Sequence, residues 1–370
     1  MQKQPKFLLT GGHAATPALA VLEEIKKRNL DWDIYWIGPR FAMEGVNVKT
    51  AAEQVLGQSG VKIKKIIAGR RKTRGSLTSR ITAHVKIPIG FVHAFWLVTK
   101  IRPKVVLSFG GFAAVPVVFS AWVLGIPVII HEQVVGAGLG NKLSTPFAKK
   151  ILVARSESLE IYPKHKTILV GNPQVSDIFE VKPKSKIGSP VTLFVTGGSS
   201  GAQILNEVID KILDVLLAKY KVIHQVGENN LTYFLQREKN LTKDLSANYE
   251  VFGYRSPKQI VDCFVRADII ISRAGANTVS DIVVSRRPSI LVPIPWSIND
   301  EQHKNAIKAQ KTGVAVILEQ DNLTPESLCE KITQVERHWS SFIKVTGESD
   351  YDLDKTAAEK IVQHLNYYLR

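Results

Sequence analysis

A turn of small residues, an acid and an amide lie close together in the second half of the chain, within residues 267–306. The turn Ser272–Ala276 follows the apolar run Ile269–Ile271, and Asp281 lies further along the helix that we predict after it. Backbone N–H groups at the start of a helix bind anions, and small residues let the anion approach them. A nearby carboxylate can accept hydrogen bonds from sugar hydroxyl groups. With Gln302 on the next predicted helix, the segment indicates a strand–turn–helix–strand unit that binds a nucleotide sugar.

Further turns of small residues follow predicted strands in both halves of the chain. Gly11–His13 and Gly197–Ala202 each follow an apolar run and begin a helix, where backbone can face a phosphate. A second turn comes later in each half, at Gly110–Gly111 and at Ala274–Gly275, and each is followed by a helix and a strand with a proline. This repeated order predicts an α/β fold of two similar doubly wound domains, which face each other across a ligand-binding cleft.

Taken together, these segments resemble the MurG-type N-acetylglucosaminyltransferases over nearly the whole chain. The matching motifs of the first half are Thr10–His13 with Pro17, and Gly110–Phe112 with Pro116, Gly125–Pro127, His131–Gln133 and Ala137–Leu139. Those of the second half are Gly197–Ala202 with Leu205 and Asn206, and Ser272–Ala276 with Asp281, Pro293, Pro295, Gln302, Asn305 and Ala306. The joint match is much more specific than any single glycine turn. It implies two Rossmann-like domains in the GT-B glycosyltransferase architecture.

The resemblance implies an inverting hexosyltransferase of peptidoglycan synthesis. Such an enzyme moves N-acetylglucosamine from UDP-N-acetylglucosamine to a muramyl-peptide linked to a polyprenyl diphosphate, which converts lipid I to lipid II. A single displacement of this kind needs a base for the acceptor hydroxyl group and stabilisation of the departing diphosphate. The resemblance implies that a helix N-terminus offsets the charge of the leaving group, so we expect no metal and no other cofactor.

The same resemblance implies roles for individual positions. His13 is the implied base, because imidazole titrates near neutrality, and a histidine that only caps the turn is the alternative. The implied phosphate-binding residues are Gly198, Ser199, Ser200 and Gly201, and Ser199 could equally be a helix N-cap. The implied donor-binding residues are Thr10, Gly11, Gly12, Ser199, Gly253, Ala276, Asn277, Thr278, Asp281 and Gln302. The implied acceptor-binding residues are Gly12, His13, Gly110, Gly111, His131, Glu132 and Gln133.

The chain departs from the family pattern at several positions. Asp281 stands where the family usually has Glu, Val134 where it has Asn, and Val175 where it tends to have Arg. One extra residue also separates His13 from Pro17. The preference for the donor sugar and the geometry of the first turn therefore stay open.

These departures keep other functions open. The alternatives are transfer to diacylglycerol or another polyprenyl lipid, 2-epimerisation of the sugar, and nucleotide-sugar binding without catalysis. Asp281 and Gln302 could likewise be solvated helix residues. A dinucleotide oxidoreductase is disfavoured because neither glycine turn completes Gly-x-Gly-x-x-Gly with an acid about 20 residues further on.

The chain has 370 residues, more than one compact core usually holds, so we expect two domains. A stretch of mixed Pro, Lys and Gly, where strand and helix signals lapse, predicts the boundary. We expect an acceptor- and membrane-binding domain at 1–172, a linker at 173–190, a UDP-sugar-binding domain at 191–350, and a C-terminal helix at 351–370 that could pack back on the first domain. The two cysteines, Cys263 and Cys329, are far apart in sequence, which suits a reducing compartment.

Much of the net charge of +16 comes from residues 54–131, which contain no Asp or Glu. This acid-free segment carries twelve Lys or Arg residues, interleaved with apolar ones such as Phe95 and Trp96. Such a mixture is suited to an anionic membrane surface, so we expect a peripheral protein at the cytoplasmic face of the cell membrane. An ordinary solvated basic face is the alternative. Nucleic acid is disfavoured as a partner because no nucleic-acid-binding motif accompanies the charge.

The run Phe112–Ile130 contains no charged residue and is long enough to span a bilayer. However, Pro116 fits the first turn of a helix, and Gly125 and Pro127 fit its end and the entry to a strand. We therefore predict a helix followed by a buried parallel strand. The apolar run Phe7–Leu9 is too short for a signal peptide, so we expect no export.

Overall fold

The computed structural model of the chain describes residues 4–12, 14–39, 51–67, 77–198, 201–344 and 349–369. The chain divides into two compact units. The first unit comprises Met1–Val175 together with Leu353–Arg370, and the second comprises Ser176–Asp352. The chain therefore enters the second unit at Ser176 and returns to the first at Leu353.

The first unit is built on a parallel sheet. Its strands are β1 (Lys6–Thr10), β2 (Asp33–Pro39), β3 (Lys62–Ile66), β4 (Val105–Ser108), β5 (Val128–Glu132), β6 (Lys150–Val153) and β7 (Thr167–Leu169). The helices between them are α1 (Ala15–Lys27), α2 (Ala51–Leu56), α3 (Leu77–Ile101), α4 (Ala114–Val123) and α5 (Leu139–Ser144). The strands pair in the order β3-β2-β1-β4-β5-β6-β7, and every pair is parallel.

The second unit repeats this plan. Its strands are β8 (Thr192–Thr196), β9 (Lys221–Gln225), β10 (Tyr249–Phe252), β11 (Ile269–Ser272), β12 (Ser289–Leu291) and β13 (Ala315–Ile317). Its helices are α6 (Gln203–Leu217), α7 (Glu228–Lys239), α8 (Lys243–Ser246), α9 (Pro257–Arg266), α10 (Ala276–Ser285), α11 (Glu301–Lys311), α12 (Pro325–Arg337) and α13 (Trp339–Phe342). The strands pair in parallel in the order β10-β9-β8-β11-β12-β13.

Short 3₁₀ helices connect several of these elements. They are Gly57–Ser59, Thr145–Phe147, Ser156–Glu160, Lys164–Lys166, Ser176–Glu180, Ile298–Asp300, Gln320–Asn322 and Asp350–Leu353. The last of them leads into the C-terminal helix α14 (Asp354–Leu369), which belongs to the first unit.

Helix α6 shows how a helix packs on its sheet through one apolar face. In α6 the buried residues recur every three or four positions, which places them on one side of the helix. That side packs on strands whose side chains are also buried, so the core of the second unit is a continuous apolar layer. The α6 residues in this layer are Leu205, Val208, Ile209, Ile212, Leu213, Leu216 and Leu217.

The structure confirms the predicted fold of two doubly wound parallel α/β domains. Within Phe112–Ile130, α4 and β5 form as a helix followed by a buried strand, which also confirms that prediction. Among the residues that the structure describes, no helix is long and apolar enough to cross a membrane. The apolar composition of Ser289–Pro293 predicts a strand over this range, but β12 stops at Leu291, because proline has no N–H group to continue the ladder.

A buried ion pair attaches α14 to the first unit. The Arg155 guanidinium donates two hydrogen bonds to the Asp354 carboxylate, at 2.7 and 2.8 Å, and both side chains are buried. The same carboxylate accepts a hydrogen bond from the Asn172 N–H group at 2.7 Å. Gly171 lies directly against the Leu353 backbone, where a Cβ atom would come within 2.5 Å of the carbonyl carbon. A bidentate pair of this kind fixes the direction as well as the position of the helix.

We predict that Arg155→Met destabilises the first unit, because it leaves a carboxylate buried without its guanidinium. Removing one partner of a buried pair costs about 3–5 kcal/mol of unfolding free energy. The control is Lys164→Met, which removes an exposed pair with Glu160 and costs less than about 1 kcal/mol. Urea denaturation of the full chain measures both variants, and equal stability of the two would contradict the prediction.

Candidate functional site

The second unit has a cavity where the order of its strands reverses. β8 and β11 are adjacent in the sheet, and the chain runs outward from them in opposite directions. In open parallel sheets, ligands bind beyond the carboxyl ends of the strands at this switch point. A cavity of about 370 Å³ lies there. It is lined by Gly197, Gly198, Gly201, Ala202, Gln203, Ile204, Arg273, Gly275, Thr278, Ile294, Trp296 and Gln302.

The first wall of the cavity is the glycine turn after β8. Gly198 and Gly201 have φ angles of +79° and +74°, a left-handed conformation that other residues adopt only with strain. Gly201 is also packed so closely that a Cβ atom would overlap the carbonyl oxygen of Val226, whereas a Cβ atom on Gly198 would meet open space. The Thr196 hydroxyl group accepts a hydrogen bond from the Gly198 N–H group at 2.9 Å. The predicted phosphate-binding residues Ser199 and Ser200 lie outside the described residues.

The turn leads directly into α6, whose first residues complete this wall. Ala202 is the N-cap, and no side chain of the described residues caps the helix. The first N–H groups of a helix have no partners within it, and they carry the positive end of the helix dipole. Because Gln203 and Ile204 line the cavity, the start of α6 can bind an anion there.

The second wall carries a cation that the sequence analysis did not predict. Arg273, at the end of β11, is buried, and its guanidinium donates to the Val292 carbonyl oxygen at 3.0 Å and to Gln320 Oε1 at 2.8 Å. Burial lowers the pKa of this guanidinium from its ordinary value, although arginine stays protonated in proteins. A buried positive charge at the edge of the cavity favours a negatively charged ligand.

The third wall comes from the segment between β12 and α11. Gln302 Oε1 accepts a hydrogen bond from the Ile294 N–H group at 3.1 Å, and Ser297 Oγ accepts one from the Gln302 N–H group at 3.2 Å. With its oxygen held in this way, the Gln302 amide has its NH₂ end to donate. Asn305, further along α11, donates to the Ala274 carbonyl oxygen at 3.1 Å and so joins this helix to the turn after β11.

The remaining predicted donor-binding residues of the second unit belong to α10 and to the segment after β10. Thr278 lines the cavity, and Asp281, three residues later on the same face of α10, is half-buried. Ala276 and Asn277 form the first turn of this helix. Gly253, after β10, lies against the Glu228 carboxylate, where a Cβ atom would come within 2.7 Å of Oε1.

A buried polar chain lies between α6 and the neighbouring strands β9 and β10. His224 contacts Asn206 Oδ1 through Nε2 at 3.2 Å and the Tyr249 hydroxyl group through Nδ1 at 3.0 Å. Because the amide oxygen can only accept, Nε2 carries the proton and the tyrosine donates to Nδ1. Burial lowers the pKa of His224 to about 3, so the ring is neutral. Asn206 also donates to the Val226 carbonyl oxygen at 2.9 Å, which fixes the start of α6 against the loop after β9.

The first unit brings two glycine turns together at its own switch point, between β1 and β4. Gly12 N–H donates to the Gly110 carbonyl oxygen at 3.0 Å, and a Cβ atom on Gly111 would come within 3.0 Å of the Gly12 nitrogen. A Cβ atom on Gly11 would likewise come within 3.1 Å of the Ala14 Cβ atom. The Thr10 hydroxyl group donates to the Ile37 carbonyl oxygen on β2 at 2.8 Å, so this side chain is used within the sheet. His13 lies outside the described residues.

Glu132, at the end of β5, organises the loop that follows it. Its carboxylate accepts hydrogen bonds from the Tyr162 hydroxyl group at 2.7 Å, the Gly138 N–H group at 2.8 Å and Asn141 Nδ2 at 3.1 Å. Burial nevertheless raises the pKa of this carboxyl group. Asn141 in turn lies against Gly110, where a Cβ atom would come within 2.6 Å of its Oδ1. Glu132 therefore joins the loop after β5 to the glycine turn after β4.

His131 is the other buried polar side chain at this strand end. Its Nε2 lies 2.9 Å from the Gly171 carbonyl oxygen, which can only accept, so Nε2 carries the proton. Burial lowers the pKa of His131 to about 4, which keeps the ring neutral. Gln133, the third residue of this motif, is half-buried.

Comparison with known proteins identifies the family of this chain. The model of the glycosyltransferase family 28 N-terminal domain matches residues 10–153, and the model of the family 28 C-terminal domain matches residues 192–363. A UDP-N-acetylglucosamine–N-acetylmuramyl-(pentapeptide) pyrophosphoryl-undecaprenol N-acetylglucosamine transferase of Clostridium tetani is 30% identical, over 98% of both chains. The chain belongs to glycosyltransferase family 28. This membership confirms the resemblance to the MurG-type enzymes and the expectation of a glycosyltransferase.

Solved structures give the same fold. The crystal structure of MurG from Acinetobacter baumannii is 24% identical and aligns with a TM-score of 0.66, over 99% of this chain and 100% of that one. A UDP-GlcNAc 2-epimerase from Neisseria meningitidis, bound to UDP-GlcNAc, is 14% identical and aligns with a TM-score of 0.66 over 98% of this chain and 100% of that one. At these identities the likeness concerns the fold alone.

Some cavity residues of this family 28 chain were not singled out from the sequence. Arg273 was visible only as part of a turn of small residues, although a cation beside a helix start is a signal for an anion site. Ile294 and Trp296 lie beside the prolines of a matching motif, but neither residue type indicates a ligand by itself. Their contribution depends on how the segment after β12 folds onto the cavity.

We predict that Gly201→Ala is much more damaging than Gly198→Ala. Both changes place a side chain at a left-handed φ angle, which costs about 1–2 kcal/mol. Only the first also forces a methyl group against the Val226 carbonyl oxygen, and such overpacking costs about 1–3 kcal/mol more. Thermal unfolding followed by circular dichroism compares the two variants. Equal melting temperatures would show that the turn after β8 is looser than the structure indicates.

Proposed function

We propose that this protein is an inverting glycosyltransferase that moves N-acetylglucosamine from UDP-N-acetylglucosamine to a muramyl-peptide carried on a polyprenyl diphosphate. The observation that carries the proposal is the cavity of the second unit, where the start of α6, the Arg273 guanidinium and the Gln302 amide line one space. Anion-binding and hydroxyl-binding groups side by side suit a sugar diphosphate. Family 28 membership and the name of the Clostridium tetani relative support this choice of substrates.

The start of α6 would bind the diphosphate of the donor. Charge accumulates on the diphosphate as its bond to the anomeric carbon breaks, and groups fixed in advance stabilise that charge without rearranging. The turn lies close against the Val226 carbonyl oxygen because Gly201 has no side chain, and this contact fixes the position of the start of α6. Arg273 adds a positive charge from a position that its bonds to Val292 and Gln320 keep rigid.

The chemical step would be a single displacement. An acceptor hydroxyl group attacks the anomeric carbon, the bond from that carbon to the diphosphate oxygen breaks, and the hydroxyl proton passes to a base. We assign the base to His13 on the basis of the sequence. The described alternatives in the first unit support this assignment, because the Glu132 carboxylate is used within its own loop, and His131 is fully buried with its pKa lowered to about 4.

In this proposal the remaining predicted residues divide between the two substrates. Asp281 would accept hydrogen bonds from the ribose hydroxyl groups, and Gln302 would donate to a hydroxyl group of the donor sugar. The turns at Gly12 and at Gly110–Gly111, with the loop that Glu132 organises, would contact the acceptor. Where the family tends to have Arg, this chain has Val175, which is buried and apolar.

Catalysis can be tested with the purified full chain, labelled UDP-N-acetylglucosamine and a short-chain lipid-linked muramyl-peptide. We predict that His13→Ala lowers kcat by about 10²–10⁴-fold with little change in donor affinity, because a base acts in the transition state. Gln302→Ala should instead weaken donor binding, by about tenfold for one hydrogen bond to a sugar hydroxyl group.

Matched controls use the same residue types at exposed positions. His165→Ala and Gln310→Ala, the second on the same helix as Gln302, should leave both constants unchanged. Unchanged kcat in His13→Ala would remove this residue from the mechanism. Conversion of UDP-N-acetylglucosamine to its 2-epimer, without transfer, would replace the proposed function by the epimerase alternative.

We also propose that the first unit binds an anionic membrane surface peripherally, at the cytoplasmic face. The support is a group of exposed apolar side chains on α3 and α4, two helices that pack together. Val92 is 72% exposed, Trp96 55% and Trp122 51%, so apolar area is available for insertion into lipid. The Lys100 ammonium lies 4.9 Å from the centre of the Trp96 ring, which places a cation beside this apolar group. Arg70, Arg71, Lys72 and Arg74, which also belong to the acid-free segment, lie outside the described residues.

Vesicle co-sedimentation tests this surface. We predict that the protein binds vesicles with anionic lipid more than neutral ones and that binding weakens at high salt, because each nearby basic residue contributes about 1 kcal/mol. The double variant Val92→Ser with Trp96→Ser should lose binding that persists at high salt. The matched control changes two exposed valines of the second unit, Val215→Ser with Val265→Ser. Equal loss in both double variants, or equal binding to neutral and anionic vesicles, would leave α3 and α4 as an ordinary solvated face.

A further inference from the structure

Trp296 is the most exposed side chain among the large apolar residues that line the cavity. It lies on the third wall, close to Ile294 and Gln302, and 68% of its surface is exposed. Large aromatic side chains usually bury most of their area, so an indole left open to a cavity has apolar surface available for a ligand. The groups of this cavity that favour an anion lie on the other walls, at the start of α6 and at Arg273.

The segment that carries Trp296 is held in position before any ligand binds. Its two ends are joined by the hydrogen bond from Ile294 N–H to Gln302 Oε1, and Ser297 N–H donates to the Ile294 carbonyl oxygen at 3.2 Å. Asn299 and Asp300 are both left-handed, with φ angles of 55° and 57°. Lys304 Nζ donates to the Asn299 carbonyl oxygen at 2.7 Å. Strained backbone of this kind persists where the surroundings determine the conformation, so the indole is presented by a constrained loop.

The chemistry of this wall differs from that of the other two. The face of an aromatic ring carries partial negative charge, so it repels a phosphate and attracts the weakly positive C–H groups of an apolar surface. A hexose offers such C–H groups on one face of its ring and hydroxyl groups around its edge. An indole with a glutamine amide beside it matches these two features together.

We propose that Trp296 stacks on the hexose ring of the donor and is a specificity-determining residue for the sugar, an inference that rests on the proposed function. The diphosphate occupies the wall formed by α6 and Arg273, and the sugar extends from it toward Trp296 and Gln302. Trp296 covers the C–H face of the hexose while Gln302 binds a hydroxyl group at its edge. The nucleoside lies on the other side of the diphosphate and does not touch the indole.

Calorimetric titration of the full chain with UDP and with UDP-N-acetylglucosamine tests this arrangement. Trp296→Ala should weaken binding of UDP-N-acetylglucosamine by about tenfold while changing UDP affinity less than about twofold. Trp296→Phe should restore most of the lost affinity, because a smaller ring still offers an aromatic face. The matched control is Tyr233→Ala, an exposed aromatic residue on α7 of the same unit, which should change neither affinity.

The outcomes separate this inference from the proposed function. If the unaltered chain binds neither ligand, the proposed function fails and the inference fails with it. If it binds both but Trp296→Ala weakens them equally, the indole contacts the nucleoside or the diphosphate, and the sugar assignment is wrong. If Trp296→Ala changes neither affinity, the indole is a solvated residue at the rim of the cavity, and the inference is wrong. Melting temperatures of all variants should equal that of the unaltered chain, because the substituted side chains are exposed.

Discussion

The close packing of Gly201 against the Val226 carbonyl oxygen is the constraint on which the cavity of the second unit depends. It brings the turn after β8 onto the loop after β9 and so fixes where α6 begins. Asn206 holds the same carbonyl oxygen from within the helix, and its contact with His224 continues that support to Tyr249 on β10. A helix start becomes a useful anion site only when its position is fixed, because mobile N–H groups would have to be ordered by each ligand.

The two units use the same plan with different means of support. In the second unit a buried cation, Arg273, stands beside the glycine turn and is held by oxygen atoms from neighbouring segments. In the first unit the buried ionisable group lies one strand further along the sheet, at the end of β5, where the Glu132 carboxyl group accepts hydrogen bonds from its own loop and from Tyr162. The repeated backbone topology therefore carries different buried polar groups in the two units, which is consistent with different ligands for the two halves.

The sequence predicted the parts of this structure that depend on local patterns. Apolar runs followed by glycine turns indicated both sheets, and the prolines within Phe112–Ile130 distinguished a helix and strand from a membrane span. The apolar residues after the turn Gly197–Ala202 recur at helical spacing and predict a helix from about Ala202 to Ala218, which agrees closely with α6 at Gln203–Leu217. Strand β12 was predicted too long, since its apolar composition continues past the point where proline ends the hydrogen bonding.

Contacts between residues that are distant in sequence could not be predicted from local patterns. Tyr162 and Glu132 are far apart in sequence, and no local pattern indicates that the Tyr162 hydroxyl group will donate a hydrogen bond to the Glu132 carboxylate. Likewise, the exposure of Trp296 depends on a loop whose left-handed residues, Asn299 and Asp300, are ordinary polar residues in the sequence. Which polar groups are buried and which aromatic groups are open is a property of the packed chain.

The ion pair between Arg155 and Asp354 has a consequence for the order of folding. Residues 176–352 form the whole second unit and are synthesised before Asp354, so that unit can fold while the first still lacks its last helix. The first unit, although it begins at the N-terminus, is completed only after the C-terminal residues leave the ribosome. Until then Arg155 and the backbone of Asn172 lack the carboxylate that they bind in the finished protein. The half of the chain that is made first therefore completes its contacts only after the whole second unit has been synthesised.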